Sequence, residues 1–191
     1  MSYIELHAAS AFSFLQGASL PEAIVDRAAE LGAPAIALLD RDGVYGAPRF
    51  HKAARAAGIR PIVGAELSIG LEGRDGQEGR EGQNRLAGQA GRARPKTTPS
   101  QPGPASLPFP LPLLCESAEG YRNLCRLITR MKLSSPKGEG ALPLEALDGM
   151  TGGLVAIVGR AALDANRYGV GGLLDRVVGL FGRERTYVEL Q

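Results

Sequence analysis

Hydrophobic and polar positions along this chain change period several times, and each change marks an element. Residues 3–7 alternate, with Ile4 and Leu6 on one side and Tyr3, Glu5 and His7 on the other, which predicts a half-buried strand ending at His7. The next ten residues predict an ordered turn carrying Ser10 and Ser13, with Phe12, Phe14 and Leu15 tucked against the core. Ser19-Leu20-Pro21-Glu22 has the form of a capping box with proline in the first turn. It opens a helix in which Leu20, Ile24, Val25, Ala28 and Leu31 recur at helical spacing, and Gly32 ends it. Residues 33–39 are then almost continuously apolar and run into Asp40-Arg41-Asp42-Gly43, as a buried parallel strand leaving into a turn would.

The cycle repeats with a helix over 45–57, stopped by Gly58, and a strand over 61–67 that carries Glu66 near its carboxyl end. His7, Asp40 and Glu66 are thereby expected to share one rim, the side on which αβ folds gather their ligands. Residues 108–115 predict a strand that Pro110 and Pro112 restrict to an edge or a short central piece. Ser117 precedes a helix to 132 with Tyr121, Leu124, Cys125, Ile128 and Met131 on one face, so Cys125 reads as core. A short helix over 142–147, a buried strand over 153–159, a helix over 173–181 and a strand over 186–190 complete the pattern.

Between 70 and 107 the periodicity disappears. Glycine recurs at every third position from 70 to 82 and prolines follow, so the stretch reads as a low-complexity Gly/Pro/Arg-rich insert that builds no core. Deleting it is expected to leave the melting temperature nearly unchanged. The rest is ordinary for one folded domain: 191 residues, 44% apolar, and a formal charge of +2 from 22 basic and 20 acidic residues. That balance demands neither a nucleic-acid nor a membrane partner. Cys115 and Cys125 have no metal or disulfide spacing, no signal peptide is visible, and no apolar run approaches the length of a membrane span, which together suggest a reducing cytoplasm.

Several stretches carry a family resemblance: ELHAASAFSFLQGAS, LLDRDGVYGAPRFHKAARAAGIRPIVGAEL, LLCESAEGYRNLCRLIT, GLVAIVG and TYVELQ. In order and spacing the chain resembles the N-terminal polymerase-and-histidinol-phosphatase (PHP) domain of bacterial C-family DNA polymerases. RDGVYG and RFHKAA resemble the error-prone, translesion branch. The resemblance implies a single PHP-like domain over 1–191, folded as a distorted (β/α) barrel that is incomplete at its C-terminus. Active members hold a divalent metal cluster, such as Zn or Mn, at the strand ends, where it polarises phosphoryl oxygens and activates water.

Here the ligand pattern is eroded. The His-x-His opening becomes His7 and Ala9; the acid before the loop glycine becomes Gln16; Thr-Asp-His becomes Leu39-Asp40-Arg41. Glu66 matches the family glutamate, but a further histidine position falls near Pro110, the cysteine position falls on Arg160, and the final Asp-x-His motif would lie beyond Gln191. His7 and Glu66 remain, and two protein ligands do not make a metal site. No metal and no cofactor is therefore expected, with Arg41 beside Glu66 supplying the charge that a metal would have supplied. Asp40 and Asp42 read as caps of the following helix, and His51 as a surface residue.

The reading that follows is a degenerate, metal-free PHP domain of an error-prone DNA polymerase III alpha-type subunit, active in DNA replication and translesion repair through its parent chain. Its partners would be the polymerase core of that chain, DNA, and other replication or mutagenesis subunits. The alternatives are a metal-dependent PHP phosphoesterase or 3′–5′ proofreading exonuclease, and a stand-alone binding module.

Overall fold

Strand pleat and helix amphipathicity together produce a mixed α/β fold around one curled sheet. The computed structural model describes residues 3–70, 108–135, 140–160, 162 and 169–189, so most of the 70–107 insert lies outside the described residues. The strands are β1 (Glu5–Ala8), β2 (Ala35–Arg41), β3 (Arg60–Gly70), β4 (Phe109–Cys115), β5 (Leu142–Pro143), β6 (Leu154–Val158) and β7 (Thr186–Val188). The helices are α1 (Pro21–Glu30), α2 (Ala47–Ala56), α3 (Ala118–Ser134) and α4 (Gly169–Phe181). Sheet order is β1-β2-β3-β4-β6-β7, with β5 beside β3. The pairs β1/β2, β2/β3 and β6/β7 are parallel, and β4 is antiparallel to both neighbours.

Alternation along β2 sorts its side chains onto two faces. Ile36 and Leu38 pack with Val25, Ala28, Phe50, Ala54 and Ile59 under α1 and α2. Ala37 and Leu39 point the other way and meet Leu114 and Ile157 across the concave side. On β3 the residues Ala65, Leu67 and Ile69 face a larger core, into which α3 inserts Leu124, Leu127 and Met131. Each such fully buried leucine is worth roughly 2 kcal/mol of apolar burial. The curl leaves a half-barrel whose two outer strands, β1 and β7, approach each other across its mouth.

Several local expectations are corrected. Phe14 and Leu15 are 84% and 90% exposed and Phe12 is 39% exposed, so the loop after β1 does not tuck into the core. Its anchor is polar, and Leu15 adopts a left-handed φ of 64° at its outermost turn. α1 begins at Pro21 with Leu20 as N-cap and no side-chain cap, so no capping box forms at Ser19. Glu22 instead takes two hydrogen bonds from Arg49 of α2, at 2.7 and 2.9 Å. Leu20 and Leu31 lie outside the core, and β1 is an edge strand without a fully buried residue.

β4, expected at an edge or as a short central piece, takes the central place and runs for seven residues. Pairing with β6 begins only at Leu113, so the stretch holding Pro110 and Pro112 has β3 alone beside it, where missing N–H donors on the far side cost no ladder bond. The 142–147 helix resolves into β5 and a 3₁₀ turn, Leu144–Leu147. Cys125 is half-buried, not core; the fully covered face of α3 carries Gly120, Asn123, Leu124, Leu127 and Met131. Ser117 caps α3 as its position predicts, accepting from the Gly120 N–H. No helix among the described residues is long and apolar enough to cross a membrane.

Candidate functional site

The site lies where the carboxyl ends of β1, β2 and β3 meet the end of β7. Parity along β2 sends Asp40 to the face of Ile36 and Leu38, and Arg41 to the concave face with Ala37 and Leu39. Glu66 sits opposite Arg41 in the β2/β3 register and shares that concave face. Two neighbouring residues on one strand thus serve two different clusters.

Glu66, Arg41, His7 and Glu189 form the concave cluster. His7 Nε2 lies 3.0 Å from Glu66 Oε2, and His7 Nδ1 lies 3.0 Å from Glu189 Oε2. Arg41 Nη1 stands 3.4 Å from Glu66 Oε1. Glu189 is held in place by its own backbone, whose N–H donates to the Val158 carbonyl at the end of β6. With a carboxylate on each ring nitrogen, only a doubly protonated imidazole can donate to both. The hydrogen bond to Glu66 raises the His7 pKa to about 8 against the opposing effect of burial, and Glu189 adds to the rise. The four groups carry two positive and two negative charges, so the cluster is neutral.

Asp40 organises the second cluster and is 2% exposed. Its Oδ1 accepts from the Ser10 N–H and Ser10 Oγ–H at 2.8 Å each and from Ser13 Oγ–H at 2.9 Å. Ser13 Oγ in turn accepts the Arg41 N–H at 3.0 Å. These bonds fold the loop after β1 so tightly that a Cβ on Gly17 would stand 2.1 Å from the Ser10 carbonyl oxygen, which only glycine permits. Asp42 bonds to Ser68 through both N–H and Oγ, at 2.7 and 2.9 Å. Neither aspartate caps α2, whose N-cap is Gly46 with no side-chain bond, which corrects the capping expectation.

Beside His7 opens a polar cleft of about 640 Å³, lined among others by Tyr3, Glu5, Ala9, Gln16 and Glu189. Ala9 and Gln16, both on this wall, bring a methyl group and a neutral amide to it. Pro110 lies opposite Ser68, one side-chain step from Glu66, which has Pro112 as its own partner. His51 is exposed on α2. Arg160 follows β6 and takes part in an interaction of its own.

The profile of the PHP domain matches residues 5–191. The chain belongs to the PHP domain family. Among curated relatives, an error-prone DNA polymerase of Nocardia farcinica is 40% identical over 167 residues, covering 79% of this chain and 14% of that one. One of Mycolicibacterium paratuberculosis is 36% identical over 197 residues, covering 98% and 16%. The chain therefore spans about one seventh of the length of these relatives. Among solved structures, a protein of Bifidobacterium adolescentis assigned as a metal-dependent phosphoesterase superposes with a TM-score of 0.58 at 12% identity, over 98% of this chain and 77% of that one. An amidohydrolase of Chromobacterium violaceum with bound sulfate and no metal gives 0.57 at 16% identity, over 97% and 75%. Both establish the fold, the incomplete barrel of a PHP domain.

The donors of this PHP domain fit a divalent cation poorly. A histidine ligand needs a free lone pair, and both nitrogens of His7 are already engaged by carboxylates, so a cation there would have to displace a proton and one of these hydrogen bonds. Glu66 already faces two cationic partners, one of them a guanidinium that stays charged at any working pH. Among the described residues no group of three or more His, Cys, Asp and Glu side chains is arranged around a common point for a metal. The residue that sequence reasoning misses is Glu189. Its signal is present, since it is an acid following a parallel strand, the same rule that singles out Glu66.

Proposed function

We propose that residues 1–191 form one metal-free PHP domain of an error-prone DNA polymerase-type chain. It braces the polymerase core of that chain in the cytoplasm and hydrolyses no phosphoester. One observation carries this reading: both nitrogens of His7 are engaged by carboxylates, and Arg41 completes the charge balance where active members would place a metal. A partly buried ion cluster holds strand ends together as a metal would, but it cannot polarise a phosphoryl oxygen or lower the pKa of a bound water. The length and identity of the error-prone polymerase relatives support the parent chain.

The test equilibrates the purified chain with Zn²⁺ and Mn²⁺, removes free ion, and measures bound metal by mass spectrometry beside cleavage of bis-p-nitrophenyl phosphate and of a 3′-labelled oligonucleotide. Metal well below one equivalent and no turnover are expected. Stoichiometric metal with cleavage that disappears in Glu66→Gln would overturn the reading in favour of a metal-dependent phosphoesterase or proofreading exonuclease.

A further inference from the structure

Helix α3 covers the large core with one face and presents a patterned opposite face. Along that face two rows run at a spacing of four residues. Arg122, Arg126 and Arg130 form one row, and Tyr121, Cys125, Thr129 and Leu133 form the other, directly beside it. At 1.5 Å rise per residue the arginines climb the helix in steps of about 6 Å. All three are exposed, and none forms an ion pair among the described residues; Arg126 and Arg130 make only long bonds, to Asn123 Oδ1 at 3.4 Å and to the Ala146 carbonyl at 3.3 Å. Arg126 and Arg130 of the first row and Cys125, Thr129 and Leu133 of the second line a shallow, largely apolar cleft of about 610 Å³, with Leu133 83% exposed on it, and Arg122 and Tyr121 continue the two rows one turn beyond it.

Charge concentrates there. α3 carries Arg122, Arg126, Arg130 and Lys132 against Glu119, four minus one or +3, whereas the whole chain sums to +2. The helix macrodipole accounts for Lys132, in the last turn, but not for Arg122 in the second turn, where a cation is not favoured. Solubility alone needs neither the arginine row nor an apolar row exposed beside it.

We propose that this face of α3 binds single-stranded nucleic acid, its phosphates on the arginine row and its bases over the apolar row. Guanidinium groups suit phosphates, and a positive track flanked by an aromatic and apolar floor is the chemistry by which unpaired strands are held without sequence preference. A duplex offers its phosphates but hides its bases, so it cannot use Tyr121 and Leu133. The surface lies away from the His7 cluster, and the inference does not depend on the function proposed above.

The test is fluorescence anisotropy of a labelled fifteen-nucleotide oligothymidylate with the full chain across a salt series. Replacing Arg122, Arg126 and Arg130 together by alanine should weaken binding at least tenfold and flatten the log–log salt slope by about 2, near 0.7 per lost phosphate contact. The triple lysine variant should keep the slope, which separates charge from folding, and Leu133→Ser should weaken binding a few-fold with the slope unchanged. The proposal is overturned if the chain does not bind, if the triple alanine variant binds as before, or if a duplex of equal length binds as tightly. Displacement by polyglutamate at equal charge would also overturn it, assigning the face to an acidic protein segment.

Discussion

Two carboxylates, on adjacent strands of one sheet, are satisfied in opposite ways. Asp40 lies on the helix-covered face and receives its bonds from hydroxyls and a backbone N–H, all within 2.8 to 3.0 Å. Glu66 lies on the concave face, 15% exposed, and is matched by an imidazolium and a guanidinium. Neutral donors close to a buried carboxylate fix backbone, and here they pin the loop after β1. Charged partners spend their attraction on desolvation, so they contribute less stability but join distant segments, and their strength follows pH. The Asp40 cluster builds a loop; the Glu66 cluster closes the half-barrel.

Removing each carboxylate is the sharpest way to break that contrast. Asp40→Ala strands the donors of Ser10 and Ser13 in the interior and should lower the unfolding free energy by about 3 kcal/mol in a urea titration. A loss under about 1 kcal/mol would show that water reaches those donors and that the two clusters are alike. Glu66→Ala leaves His7 and Arg41 without their shared counter-charge and should cost about 2 kcal/mol near pH 6. At pH 9 the same variant should cost less, because His7 is then neutral.

The pH dependence of the unmodified chain comes next in size. The His7 pKa is raised from 6.5 to about 8 on folding, so its contribution is complete below pH 6.5 and is lost as pH rises through 8. At 1.36 kcal/mol per unit, less some solvent screening of a partly exposed group, stability should fall by roughly 1–2 kcal/mol between pH 6 and pH 9. Equilibrium unfolding at both pH values measures it, and His7→Asn should abolish the difference; an equal fall in that variant would place its origin elsewhere. Glu189→Gln keeps a hydrogen-bond acceptor while removing charge, and its cost should stay under about 1 kcal/mol, visible as a lower pH midpoint in the His7 titration followed by NMR. Phe14→Ser, on an 84% exposed side chain, should leave the unfolding midpoint within error of the parent chain.

Much of the fold is legible in the amino-acid pattern. The parallel strands β2 and β3, the helices between them and the Ser117 cap follow from periodicity and punctuation, because each depends on residues close in sequence. The loop after β1 misleads for a physical reason: Phe12, Phe14 and Leu15 look like core by type, yet the loop is held by Ser10 and Ser13 reaching Asp40, a partner 27 to 30 residues away. Arg49 adds to that anchoring from 6.0 Å above the Phe12 ring. Whether β4 lies at an edge or in the centre is left open by its prolines, and the offset of β6 is what makes them harmless in the central place. Of the candidate site, the pairing of Arg41 with Glu66 is legible from strand parity, whereas the contact of His7 with Glu189 is not.

What the sequence determined by itself is the order of elements and the parity of each strand, hence that Arg41 and Asp40 must face opposite ways. Those properties are set by the period of the backbone and by neighbouring side chains. Tertiary structure alone decided that His7 would stand between Glu66 and Glu189, since the second contact joins residues 182 positions apart. No local pattern encodes it. It exists because the accumulated curl of the sheet carries β1 round to the end of β7, and a charged histidine is what the two carboxylates find there.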